Sequence, residues 1–214
     1  MAQAGGVSDA AVTPRRARTR ARLLAAAREV IAAEGAGGAT VERICERAGF
    51  TRGAFYSNYS SLPELVNDLM VEIGSARLAA FSAGIPLQDP DPADPRGSLT
   101  AALRLLVDLQ PTTVDDVVLL TELRLFAIRH PYSARSSLFQ DVNEEMLTLI
   151  RSVLDRLGLQ LRISITLACS LLHAYFDHVT VLSHVCGTGD PSETLVEGLM
   201  EVLSVIAEPK PARP

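Results

Sequence analysis

Between Thr51 and Tyr59 the chain reads Thr-Arg-Gly-Ala-Phe-Tyr-Ser-Asn-Tyr, and most of its polar side chains are types that bond to nucleic-acid edges. An arginine such as Arg52 can donate to both acceptors of a guanine edge, and an asparagine such as Asn58 pairs with an adenine edge. The hydroxyls of Tyr56 and Ser57 suit phosphate oxygens. Gly53 and Ala54 matter by being small, because they let backbone approach a duplex and place the Ala54 methyl against a thymine methyl. This is recognition chemistry. The sequence holds no Gly-rich phosphate loop after a strand, no nucleophile elbow and no dense cluster of His and carboxylates, so neither an enzyme nor a cofactor is expected.

Such side chains need a scaffold. Thr40 is placed to cap a helix over 41–47, Ala48-Gly49-Phe50 forms a break, and Thr51 caps a second helix, which is the helix-turn-helix pattern. Ile44, Ala48, Phe50 and Phe55 fall on the inward side. Ser61 and Glu64 have capping-box spacing for the next helix, with Pro63 in its first turn. Upstream, Leu23, Leu24, Ala27, Val30 and Ile31 recur at helical spacing from about Thr19 to Glu34, before Gly35.

The run Thr40 to Val66, with Ala48-Gly49-Phe50-Thr51-Arg52-Gly53-Ala54-Phe55-Tyr56-Ser57-Asn58-Tyr59 and Ser61-Leu62-Pro63-Glu64-Leu65, resembles the DNA-binding domain of the tetracycline-repressor (TetR) family of bacterial regulators. The resemblance covers roughly residues 18 to 66. Tyr59 stands where the family usually has Phe, and Leu62 where a Lys is common; the second change removes a phosphate contact and shifts that task to the N-terminal arginines. The candidate DNA-binding residues are therefore Arg16, Arg18, Thr40, Thr51, Arg52, Gly53, Ala54, Tyr56, Ser57, Asn58 and Tyr59. Glu122 to Pro131 also looks like a family segment.

Overall composition is that of an Ala- and Leu-rich helical protein: 214 residues, 48% apolar, no Trp. The net charge of −5 hides an asymmetry, since residues 1–60 carry +4 and residues 61–214 carry −9. DNA attracts the first part and repels the second, which orients an encounter. Apolar runs fall short of the ~18 residues of a membrane span, and the start lacks the apolar centre of a secretion signal, so a cytoplasmic protein with no membrane partner is expected. Cys45, Cys169 and Cys186 are odd in number and widely spaced, and read as small buried or half-buried thiols, with a redox sensor as the alternative.

The expected fold is all-α with about nine helices. Residues 1–17 read as a disordered basic arm, 18–66 as the helix-turn-helix domain, and 67–214 as an effector-binding and dimerisation domain. A helix from Leu62 to about Ala83 forms a lever between them, and the proline-rich 88–97 is a loop. Helices follow at about 98–109, 112–129, 132–157, 161–185 and 191–207, with no β-hairpin signal. The last two are the expected dimer elements, through Leu167, Leu171, Val179, Leu182, Leu195, Leu199, Met200 and Leu203; pairing two copies gives a four-helix bundle, which is also the usual dimer of the family it resembles.

In proteins of that family the core of the second domain is an effector cavity. Polar residues on otherwise apolar helices mark candidates, namely Arg104, Thr121, Glu122, Ser170, His173 and Asp177, with Phe126 and Phe176 beside them. His173 and Asp177 are four apart and share a face. They read as an internal hydrogen-bond pair, as an effector contact, or as two ligands of an incomplete metal site. The expected function is a homodimeric repressor released from a palindromic, double-stranded DNA operator by an unidentified small molecule. Two alternatives stay open: an effector-independent activator or architectural dimer, and an all-α enzyme or interaction bundle.

Overall fold

The computed structural model describes residues 13–84, 91, 94–110, 113–130 and 137–210. The expected disorder before Thr13 and much of the 88–97 loop lie outside them. Helix α1 (Pro14–Gly38) starts earlier than its apolar pattern, because Thr13 Oγ1 accepts from the Arg16 amide (3.4 Å) and Pro14 occupies the first turn. Arg15 and Arg16, expected on a disordered arm, thus sit with Arg18 on the exposed opening turns of a helix. Gly35, at φ 72 and ψ 165, interrupts α1 near its end.

The chain continues through α2 (Val41–Ala48), α3 (Arg52–Tyr56), α4 (Leu62–Gly84), α5 (Pro95–Asp108), α6 (Val114–Arg129), α7 (Ser137–Arg156), β1 (Leu159–Leu161), α8 (Ile165–Cys186), α9 (Ser192–Ile206) and β2 (Ala207–Pro209). Nine helices among the described residues give the expected all-α fold, to which the C-terminal part adds two strands of three residues each. Gly158 (φ 65) turns the chain after α7, and Leu159 to Leu161 pair antiparallel with Pro209 to Ala207. The helix expected from 161 therefore begins at Ile165, capped by Ser164, whose Oγ accepts from the Leu167 amide at 3.2 Å. Strands of three residues carry too little alternation to be read from sequence.

Among the described residues, two apolar cores organise the fold. The first joins Leu23, Ala27 and Ile31 of α1, Ile44 of α2, Phe55 of α3, and Leu65 and Leu69 of α4 to Leu119, Leu123 and Phe126 of α6. The second joins Leu103 and Val107 of α5, Phe176 of α8, and Leu195, Val196, Leu199, Leu203 and Ile206 of α9. Burying a large apolar side chain stabilises by roughly 1.5–3 kcal/mol, so three such residues fasten α6 firmly to the N-terminal helices.

Leu195, Leu199 and Leu203 are 0–5% exposed within the chain, which corrects their place in a dimer interface: they fill their own core. Met200 and Val179 pack partly against that core. On α8, by contrast, Leu167, Leu171 and Leu182 stand 44–50% exposed. That helix is long and apolar enough by composition to cross a membrane, which its own length of mixed residues did not suggest; it also carries His173, Asp177, His178 and His184 and packs against α9.

Candidate nucleic-acid interface

The turn before the reading helix is built from backbone. Gly49 takes the left-handed conformation (φ 68), its amide donates to the Glu46 carbonyl (3.1 Å), and the Phe50 amide donates to the Cys45 carbonyl (2.9 Å). Thr40 Oγ1 caps α2 from the Arg43 amide (3.2 Å), and Thr51 Oγ1 caps α3 from the Ala54 amide (3.2 Å). Cys45 is buried, donates its thiol to the Thr51 carbonyl (3.6 Å), and is held above its ordinary pKa by burial, then by Glu42. It is an inert packing residue. Cys186 is exposed, against expectation.

Phe55 is fully buried and anchors α3. Arg52, Gly53, Tyr56 and Ser57 are exposed around it, Ala54 partly so. Arg52 reaches Glu42 at 2.8 Å, a surface pair worth little that a base edge can displace. Tyr56 stands edge-on to the Phe55 ring (centroids 5.3 Å apart), and Ser57 Oγ donates to the Gly53 carbonyl (2.8 Å). A methyl added at Gly53 would meet nothing nearer than Thr51 Oγ1 at 3.7 Å. The fold itself does not need glycine there.

Two expected contacts are corrected. Tyr59 is 1% exposed: its hydroxyl donates to Asp68 (3.0 Å) and the Arg20 guanidinium lies 4.3 Å over its ring. Burial, then the Asp68 charge, holds its phenol far above the ordinary range. Tyr59 is a core residue whose hydroxyl explains why Tyr replaces Phe. Asn58 folds back, its Nδ2 donating to the Ala54 carbonyl (2.8 Å) while Oδ1 is buried with no partner among the described residues, so it reads an adenine only after changing rotamer.

The basic run also divides. Arg20 pairs with Asp68 and donates to the Asn58 carbonyl (2.9 Å); Arg22 donates to the Ala48 carbonyl (2.7 Å) and covers the Phe50 ring. Both fasten the domain. Arg15, Arg16 and Arg18 remain exposed on α1, on the same small domain as α3. Ser61 Oγ accepts from the Glu64 amide (3.3 Å), while the Glu64 carboxylate returns to the Ser60 amide and hydroxyl (2.6 Å each), a capping box displaced by one residue.

Residues 23–69 match the family described as bacterial regulatory proteins, tetR family. They form a TetR-family DNA-binding domain. Solved structures extend the likeness to the whole fold. A TetR-family transcriptional regulator from Mesorhizobium loti is 18% identical, with 90% of this chain and 96% of that one covered at a TM-score of 0.69. A transcriptional regulator from Rhodococcus sp. Rha1 is 25% identical over 87% and 95%, at 0.60. The multidrug binding protein EbrR complexed with imidazole is 22% identical over 97% and 100%, at 0.62. No curated protein sequence matches the chain.

In the second half of this TetR-type fold, the expected effector residues are mostly occupied by the protein. Arg104 forms a fork with Glu193 (2.7 and 3.1 Å). Thr121 and Ser170 donate to the carbonyls four residues back (2.8 Å each). Glu122 Oε2 accepts from the Ala36 amide (2.8 Å), just past the α1 break. Phe126 belongs to the first core and Phe176 to the second. These placements correct Glu122, Phe126 and Phe176 as free pocket contacts.

Asp177 receives both arms of Arg124 (2.5 and 3.1 Å), and Arg124 also donates to His173 Nε2 (3.0 Å). Burial, with Arg124 and Arg77 behind it, lowers the His173 pKa against the opposing Asp177. Sequence reading missed Arg77 of α4, although a lone arginine among the apolar residues of the lever was its signal. Burial lowers its pKa first, then Arg124. A separate open groove of about 540 Å³ runs between α4 and α7, lined by Leu78, Ser82, Glu144, Glu145, Thr148, Leu149 and Ser152. It shares no residue with the expected effector set.

Proposed function

We propose that the protein is a cytoplasmic, homodimeric repressor whose two reading helices enter successive major grooves of a palindromic operator and are withdrawn by a small-molecule effector. The observation that carries the reading is the exposed face of α3, where Arg52, Gly53, Tyr56 and Ser57 are not spent on the protein's own core. Dimerisation is supported by the α8 stripe of Leu167, Leu171 and Leu182. An effector is supported by the complexes of the structurally similar EbrR with imidazole and with ethidium. A hundredfold loss of operator affinity needs only about 2.7 kcal/mol of coupling.

The self-satisfied side chains of Arg104, Thr121, Glu122 and Ser170 favour a second reading, a dimer that binds DNA without an effector. Fluorescence anisotropy with operator DNA separates the two. Release by any small molecule at fixed salt supports the repressor; binding unaffected across a broad metabolite panel supports the effector-independent dimer.

A further inference from the structure

The arginines of α2 and α3 each have a carboxylate partner, and they divide by where that partner stands. Arg43 and Arg47 of α2 pair with Glu34 and Glu29 of α1, across the seam that packs the two helices. Arg52, on α3, pairs instead with Glu42 on the first turn of α2, Nη1 to Oε1 at 2.8 Å. Both partners are more than half exposed (62% and 55%), so the contact is screened and adds little to stability. Its consequence is directional. An exposed arginine spreads over many rotamers, whereas this guanidinium is held by one of its nitrogens. Tyr56 first, and then Glu42, raise the Arg52 pKa, so side chains of two helices act on the one group.

We propose that Glu42, which is not among the expected DNA contacts, determines specificity by aiming Arg52 at a guanine in the major groove. Glu42 takes Nη1, and the parallel donors of Nε and Nη2 lie on the edge away from that nitrogen. That edge matches O6 and N7 of guanine. A base met by Nη1 has to displace Glu42; a guanine met by Nε and Nη2 does not. Adenine presents N7 beside an amino donor and so satisfies only one of the two. The carboxylate also bears on the backbone contacts, because a negative charge beside Arg52 opposes the phosphates that a free arginine would reach. The inference deepens the operator reading and rests on Arg52 facing a base.

The test is selection of sites from random-sequence duplexes by the full chain, followed by anisotropy on the selected site with each base replaced in turn. Wild type is compared with Glu42→Ala, Glu42→Gln and Arg52→Ala; both positions are exposed, and all three variants are expected to keep the wild-type helical spectrum. Wild type is expected to select a guanine at one position of each half-site, where Arg52→Ala accepts all four bases about equally. In Glu42→Ala the preference for that guanine narrows by roughly fivefold or more, preferences elsewhere are unchanged, and the salt slope steepens by about 1 for each bound chain as Arg52 turns to a phosphate. Glu42→Gln, whose side-chain carbonyl still accepts from Nη1, falls between. Guanine preference undiminished in Glu42→Ala overturns the proposal and leaves the operator reading standing. Discrimination lost at every position alike marks a structural role and overturns it too. Wild type that selects no sequence defeats the operator reading and the proposal together.

Discussion

At the scale of single residues, the interface divides into side chains that face outward and side chains that hold them there. Tyr59 illustrates the second kind. Tyr59→Phe removes a bond to Asp68 and leaves that carboxylate to Arg20 alone, so it costs about 1–2 kcal/mol of stability, read by denaturant unfolding, with no change in base preference. Gly53→Ala has the opposite signature: Tm is unchanged or higher, because a helical alanine is favoured by up to about 1 kcal/mol, while operator affinity falls as the methyl fills the space left for a duplex. His173 gives a pH effect. Its pKa is lowered in the folded protein from an ordinary 6.5, so the unfolded chain takes up the proton first. Stability then rises with pH through the window below 6.5 and levels off above it. His173→Gln flattens that acid limb in a series of melting curves. Sequence could place Tyr59 beside the reading helix but not say which way it pointed, because a Tyr at a helix end suits a phosphate and a carboxylate partner equally well.

At the scale of elements, α6 is the piece that joins the helix-turn-helix domain to the second half of the chain. Its Leu119, Leu123 and Phe126 complete the core of the DNA-binding domain, and its Glu122 holds the amide of Ala36 past the Gly35 break. Glu122→Gln keeps the shape but weakens the acceptor, and is expected to loosen α1 against α6 by about 1 kcal/mol, seen as faster hydrogen exchange at Ala36. The helices themselves were legible: capping at Thr40, Thr51 and Ser61 and the apolar spacing of α1 gave the domain without any coordinates. The α1–α6 seam was not, because it joins segments more than eighty residues apart and no local pattern encodes which helix covers which. For the same reason the apolar faces of α8 and α9 looked alike in sequence, although α9 turns its leucines inward and α8 leaves Leu167, Leu171 and Leu182 uncovered.

For the whole molecule, the exposed α8 stripe and the charge asymmetry both support the proposed arrangement, in which one end approaches DNA and the other a second copy of the chain. Leu171→Glu combined with Leu182→Glu is expected to yield monomers by sedimentation and to weaken operator binding strongly while the helical spectrum is retained. The effector positions were the least legible part, because a polar residue on an apolar helix is satisfied as readily by a neighbouring helix as by a ligand, and here Arg104, Glu122 and Asp177 were. The most direct test of the central claim is footprinting and anisotropy of the purified protein on the intergenic DNA beside its own gene, across several salt concentrations and against unrelated DNA. A protected palindrome is predicted, with affinity that falls steeply with salt and a salt slope reduced by about 1 for each of Arg15, Arg16 and Arg18 that contacts phosphate and is replaced by Ala. Weak binding of equal strength to that DNA and to unrelated DNA, unaltered by Arg52→Ala, would contradict it.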